Sequence, residues 1–236
     1  MVEVVALDGD DTLWHSESYF TLTHRRFAEL LAPHAEPDAL EQQLLDVERR
    51  NLALFGYGVK GFTLSMIETA IAVSGGTVGA DDIATILAWG KEMLAHPVDL
   101  LDGVAETVEA LARSHRLVLV TKGDLFHQES KVARSGLADR FEHVAIVAEK
   151  DGATYRRVMA TVGVPPERFL MVGNSVRSDV VPVIDLGGHA VHIPYHTTWE
   201  LERAVLPVTD DGDRVWELED IRQLPALVAE LSGTRP

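Results

Sequence analysis

Two acidic residues set two apart, Asp8 and Asp10, stand in the run Asp8-Gly9-Asp10-Asp11-Thr12, directly after an apolar stretch. Three further polar groups follow apolar stretches in the same way: Thr121-Lys122-Gly123-Asp124, Glu149-Lys150-Asp151, and Gly173-Asn174-Ser175 through Asp179. Brought to one place, these carboxylates repel one another unless a cation neutralises them. An all-oxygen donor set suits Mg2+. The chain's formal net charge is −16, so an anionic substrate must be drawn in by that metal or by local cations. The lysines, Lys60, Lys91, Lys122, Lys131 and Lys150, are the residues to locate.

The elements that must position these groups are legible as apolar runs dense in β-branched residues. Residues 2–7, 117–120, 169–172 and 190–193 read as buried strands, with 144–147 a further candidate. Helical periodicity fills the intervals at 104–113, 126–135, 154–162 and 180–186. Strands alternating with helices imply parallel pairing through right-handed crossovers, hence an α/β fold with a doubly wound parallel sheet. Ligands of such sheets bind beyond the carboxyl ends of the strands, where all four polar groups fall. Residues 215–218 suggest an edge strand and 221–231 a last helix.

Residues 16–97 break the alternation. They read as helices over 19–31, 39–54, 64–73 and 82–95, punctuated by proline and glycine, with Ser18 and Asp81 as N-caps. The expected organisation is a core from residues 1–15 and 98–236 carrying an inserted helical domain over 16–97. Within the insertion, Gly56-Tyr57-Gly58-Val59-Lys60-Gly61 reads as a glycine-rich loop that presents one aromatic and one cation.

Composition bounds the function classes. The 236 residues are 46% hydrophobic and 25% charged, ordinary for a globular chain with a sizeable core. Cysteine is absent, which removes disulfides, thiolate nucleophiles and sulfur-held zinc. The acidic balance, without any basic stripe, argues against nucleic acid and anionic lipid as partners. No apolar run reaches membrane-spanning length, and an apolar strand rather than a signal segment occupies the start, so a cytoplasmic location is expected.

The order and spacing of the four polar groups resemble the haloacid dehalogenase superfamily. Asp8-Gly9-Asp10-Asp11-Thr12-Leu13 looks like its first motif, Thr121-Lys122-Gly123 its second, Lys150 ahead of a helix its third, and Gly173-Asn174-Ser175 through Asp179 its fourth. The helical insertion resembles the family's cap. This likeness implies that Asp8 attacks phosphorus and becomes an aspartyl phosphate. It makes Asp10 the acid for the leaving group and then the base for water, its carbonyl a metal ligand. Asp11 reads as a turn or cap residue. Thr121 would bind the phosphoryl oxygens and Lys150 offset their charge. Lys131 competes for Lys150's part, although its helical setting predicts a solvated face. Lys122 is a second candidate cation for substrate, and Tyr57 and Lys60 are candidate cap contacts to the leaving group. The expected Mg2+ ligands are Asp8, the Asp10 carbonyl, Asp179 and Asn174, the last direct or through water. Asn174 is the departure, because the fourth motif often carries an aspartate there.

The function implied is Mg2+-dependent hydrolysis of a small phosphorylated metabolite by a monomer or homodimer. A metal-independent 2-haloacid dehalogenase, a phosphomutase and a non-catalytic phosphate-binding module are the alternatives. Asp10 speaks against the dehalogenase. Trp14 and His15 are expected to line the cavity, and residues 195–199 to border the same rim. His192 and His196 are expected in surface or core roles.

Overall fold

A computed structural model describes residues 1–197, 199–206 and 214–233. The elements run β1 (Val4–Leu7), α1 (Glu17–Leu31), α2 (Pro37–Phe55), α3 (Val59–Val73), α4 (Ala80–Ala95), α5 (Val104–Ala112), β2 (Arg116–Lys122), α6 (Leu125–Arg134), β3 (His143–Val147) and α7 (Gly152–Val162). There follow β4 (Phe169–Gly173), α8 (Val181–Ile184), β5 (His189–His192), β6 (Val215–Glu217) and α9 (Leu224–Leu231). The chain divides into two compact units, one of Met1–Glu17 with Val98–Pro236 and one of Ser18–Pro97. Among the described residues no helix is long and apolar enough to cross a membrane.

The first unit holds a six-stranded sheet in the order β3-β2-β1-β4-β5-β6, every pair parallel. Side chains alternate across a strand, and here both faces are covered. Val5 and Leu7 of β1 pack with Leu119, Leu170, Val108 and Val228 on one face. Val4 and Ala6 pack with Val118, Met171, Tyr155 and Val158 on the other. A strand buried on both sides has no polar face, which is why these runs are uniformly apolar. The helix expected over 180–186 is instead a π-helical turn at Val176–Val180 followed by the short α8. Ser175 caps that turn by accepting the Ser178 N–H, and the Val181 N–H reaches back to the Val176 carbonyl. The helix expected over 221–231 begins as a 3-10 turn at Ile221–Gln223 before α9.

The second unit is built from most of α1 together with α2, α3 and α4. Its core takes Phe27 and Leu31, Leu40 and Leu44, Phe62, Met66 and Ala70, and Ile86, Trp89 and Met93, one stripe per helix at three- and four-residue spacing. Three boundaries differ from the sequence expectation. Helix α3 starts at Val59, so Lys60 and Gly61 lie in its first turn rather than in a loop. Ser18 lies inside α1, whose start is capped by the Asp11 carboxylate accepting the Ser16 and Glu17 N–H groups at 2.9 and 3.0 Å. Gly79, not Asp81, precedes α4, with its N–H donating to Asp82 at 3.3 Å.

Candidate active site

Strand β1 is central, and the chain changes sides between it and β4, the switch point where parallel sheets bind ligands. Asp8 emerges at this point, its N–H donating to the Val172 carbonyl at 2.9 Å. Lys150, after β3, places its Nζ 2.5 Å from Asp8 Oδ1 and 2.7 Å from Asp179 Oδ1. The second oxygen of Asp179 accepts the Ser175 N–H at 3.0 Å. Asp179 fits because Gly173 has no side chain: a Cβ there would lie 2.1 Å from Asp179 Oδ2. Burial pushes Asp8 up to about 7 against the pull of Lys150, and Asp179 adds to the rise. Burial opposes the Lys150 charge, but the two carboxylates prevail and hold it above its usual range. One ammonium facing two carboxylates leaves negative charge in a dry place, which a proton on Asp8 or a further cation would relieve.

Asp10 lies on a tight loop. The Leu13 N–H bonds the Gly9 carbonyl at 2.8 Å, the Asp11 N–H bonds the Trp14 carbonyl at 2.7 Å, and Asp11 adopts φ 61°. Trp14 is wedged beneath this loop rather than lining a cavity; a Cβ on Gly9 would meet its ring at 2.7 Å. Its Nε1 donates to Asp10 Oδ1 at 2.6 Å. Two side chains of α6 complete the shell: Gln128 Nε2 donates to Asp10 Oδ2 at 2.8 Å, and Lys131 Nζ lies 2.7 Å from Oδ1. The expected solvated face for Lys131 is therefore corrected, since its side chain is 12% exposed. Burial would raise the Asp10 carboxyl, but Lys131 and the three hydrogen bonds outweigh it and hold the group below its ordinary range. Gln128 was not singled out from the sequence. Its three-residue spacing from Lys131, on the helix after β2, is the signal that marks it.

A divalent ion has a fitting place beside these groups. The Asn174 side-chain amide lies 3.2 Å from Asp8 Oδ2 and 3.3 Å from the Asp10 carbonyl oxygen. Those separations are close to the edge of an octahedron whose ligands stand about 2.1 Å from Mg2+. With its oxygen on that side, Asn174 completes a three-oxygen set; with its nitrogen there, it donates to both acceptors. Each Asp179 oxygen accepts one donor here, Oδ1 from Lys150 Nζ and Oδ2 from the Ser175 N–H. Among the described residues no three His, Asp or Glu side chains form a metal-holding cluster, so an ion held here would need the carbonyl and the amide. Thr121 is fully buried, and its hydroxyl has no partner among the described residues. The hydroxyl lies near the Gly9 backbone, 3.1 Å from where a Cβ would stand. That hydroxyl is available to donate to an oxygen brought into the site.

Lys122 turns elsewhere. Its Nζ lies 2.5 Å from Glu202 Oε1, 3.1 Å from Ser178 Oγ and 3.3 Å from Glu149 Oε1. The other oxygen of Glu202 accepts from Ser175 Oγ and Ser178 Oγ at 2.6 and 2.5 Å, so Lys122 is closed into a clip around the π-helical turn. Lys122 is therefore occupied by protein carboxylates rather than presented to substrate. Glu202 lies in the segment after β5, too far along the chain for any local motif to reveal it. His192 also serves the Asn174 segment, its Nε2 lying 3.1 Å from the Asn174 carbonyl and its Nδ1 2.8 Å from Glu217. His15 Nδ1 and Tyr195 Oη lie 2.7 Å apart, joining the segment after the Asp8–Trp14 loop to the run after β5; Thr198 of that run lies outside the described residues. Tyr57 and Lys60 belong to the helical unit, half-buried and exposed.

Comparison with known proteins gives the family. A solved structure from Xanthomonas campestris, a haloacid dehalogenase-like family hydrolase, is 44% identical, covers 98% of this chain and 92% of its own, and superposes with a TM-score of 0.87. The 2-haloacid dehalogenase of Pseudomonas syringae is 21% identical, covers 98% and 99% of the two chains, and has a TM-score of 0.62, a likeness of fold. The N-acylneuraminate-9-phosphatase of Mus musculus is 24% identical over 148 residues, 61% of this chain and 57% of that protein. The family profile for haloacid dehalogenase-like hydrolases matches residues 2–184. Four polar groups on one sheet rim, on this fold and with these relatives, place the chain in the haloacid dehalogenase-like hydrolase family.

Proposed function

We propose that this hydrolase is a Mg2+-dependent phosphatase for a small phosphorylated metabolite, working through an aspartyl phosphate on Asp8. The observation that carries this reading is the second acid. Asp10 is present and bound by three donors beside the nucleophile, and displacement of a halide needs no leaving-group acid. The match to a phosphatase that covers 61% of the chain supports the same reading.

Asp8 Oδ2, the Asp10 carbonyl and Asn174 would hold a Mg2+, which when bound would supply positive charge to offset that of the phosphoryl group. The chain's own residues account for the rest. Asp8 forms a bond to phosphorus as the bond from phosphorus to the leaving oxygen breaks. Lys150 keeps Asp8 oriented and shares its charge. Thr121 donates its free hydroxyl to a phosphoryl oxygen. The arriving phosphate dianion raises the proton affinity of Asp10, which takes up a proton from solvent and passes it to the leaving oxygen. In the second half, Asp10 as carboxylate takes a proton from water while that water cleaves the aspartyl phosphate, returning free phosphate and Asp8. The helical unit is proposed as a cap, with Tyr57 and Lys60 selecting the leaving group.

One test is phosphate release from 4-nitrophenyl phosphate with Mg2+ and with EDTA. Turnover only with the metal is expected. The dehalogenase reading draws on one observation, the uncharged Asn174 that satisfies its neighbours without a cation. Metal-free release of chloride from chloroacetate would replace the proposal with that reading.

A further inference from the structure

We infer that Lys131 and Gln128 are positioning residues that fix Asp10 with one open acceptor site on Oδ2, so that this oxygen exchanges the proton with the leaving group. The inference rests on the phosphatase reading of Asp10. An ionised carboxylate offers about four lone-pair directions, two on each oxygen. Trp14 Nε1 and Lys131 Nζ fill both directions on Oδ1, at 2.6 and 2.7 Å, while Gln128 Nε2 fills one on Oδ2 at 2.8 Å. Among the described residues a single direction remains, and it belongs to Oδ2.

The two helix residues are themselves fixed. Gln128 is 3% exposed and also donates to the Lys122 carbonyl at 3.0 Å, tying Asp10 to the end of β2. Gly123 admits it: a Cβ there would lie 2.9 Å from the Gln128 amide nitrogen, and its φ of 147° suits glycine alone. Asp124 caps α6 by accepting the His127 N–H at 3.0 Å, which sets the rotation that points residues 128 and 131 the same way. The hydrogen bonds these two side chains give the site go to the Asp10 carboxylate, so both act through Asp10.

Leaving-group dependence separates this role from a structural one. Protonation matters for a poor leaving group and little for a good one. The measurement is kcat/KM for phenyl phosphate and for 2,4-dinitrophenyl phosphate at saturating Mg2+, with Asp10→Asn as the benchmark. Lys131→Met and Gln128→Met should lose about 30-fold on phenyl phosphate and under about threefold on the dinitrophenyl ester. Lys131→Arg should recover most of the loss, and Mg2+ affinity measured by calorimetry should be unchanged. Thermal melts identify any variant that does not fold, in which case Lys131→Gln and Gln128→Leu carry the test through the same ratio of losses. Equal losses on both esters, or a change confined to KM, would overturn the inference while leaving the phosphatase intact. If Asp10→Asn itself loses equally on both esters, or the wild type cleaves neither, the phosphatase reading of Asp10 falls instead.

Discussion

Two lysines on the same rim, Lys150 and Lys122, each face two carboxylates, yet the surroundings give them different duties. Lys150 lies between Asp8 and Asp179 with 2% of its side chain exposed, at the switch point of the sheet. Lys122, 11% exposed, lies between Glu202 and Glu149 with two serines closing the circuit. The Lys122 carboxylates accept from Lys122, Ser175 and Ser178, and Glu202 is held below its ordinary range because these partners outweigh burial. In the Lys150 cluster the same balance fails, and Asp8 is driven up. A satisfied cluster fastens the chain; an unsatisfied one at a sheet's carboxyl end is poised to receive charge from outside.

The largest effect that tests this contrast is removal of the Lys150 ammonium. Lys150→Met leaves Asp8 and Asp179 buried without their cation, so melting should report a loss of about 3–5 kcal/mol. Turnover of 4-nitrophenyl phosphate should fall with it by about 100-fold or more. Next in size, Asn174→Asp adds a charged oxygen where the amide now lies, and calorimetry should show Mg2+ bound roughly tenfold more tightly. An unchanged affinity would remove Asn174 from the metal set. Smaller still, Lys122→Met should cost about 1–3 kcal/mol in stability while kcat/KM stays within about threefold of the wild type. A large loss of kcat with intact stability would give Lys122 a catalytic part and erase the contrast.

Acidity should then divide the two clusters by sign in the metal-free protein. Asp8 is raised from 3.8 to about 7, so the folded state takes up its proton first as pH falls. Its strain is present above pH 7 and is relieved as pH falls from 7 towards 3.8. Glu202 is lowered from 4.5, so its contribution is full above that value and is lost as pH falls through its folded pKa. Melting curves in EDTA should find Asp8→Asn more stable than the wild type at pH 8, with the gap closing towards pH 4. Glu202→Gln should be less stable than the wild type at pH 8, with that gap closing only below 4.5.

The same physics explains what the sequence could reveal. The β-branched runs and the polar residues at their ends carry the sheet and the Asp8, Asp10, Thr121, Lys150 and Asn174 constellation, because strand ends are fixed by the pattern itself. Lys131 looked like any helical lysine, since nothing local tells whether a helix face meets a carboxylate from another strand. Glu202 and His192 owe their places to the packing of β5 and the segment after it, contacts that span 80 residues in the case of Lys122 and Glu202. The start of α3 is hidden in the sequence for a different reason. Three glycines around Lys60 spell a loop, but Gly61 is held in the helix where its bare Cα lies against the Gly56 carbonyl, 2.8 Å from a would-be Cβ.

The central claim is that Asp8 carries the phosphoryl group. It is tested most directly by quenching the protein in acid during turnover of 2,4-dinitrophenyl phosphate and mapping the adduct by peptide mass spectrometry. The account predicts a phosphoryl group on Asp8 with Mg2+ present, and neither adduct nor turnover in Asp8→Asn. Phosphate release from Asp8→Asn at the wild-type rate would contradict it.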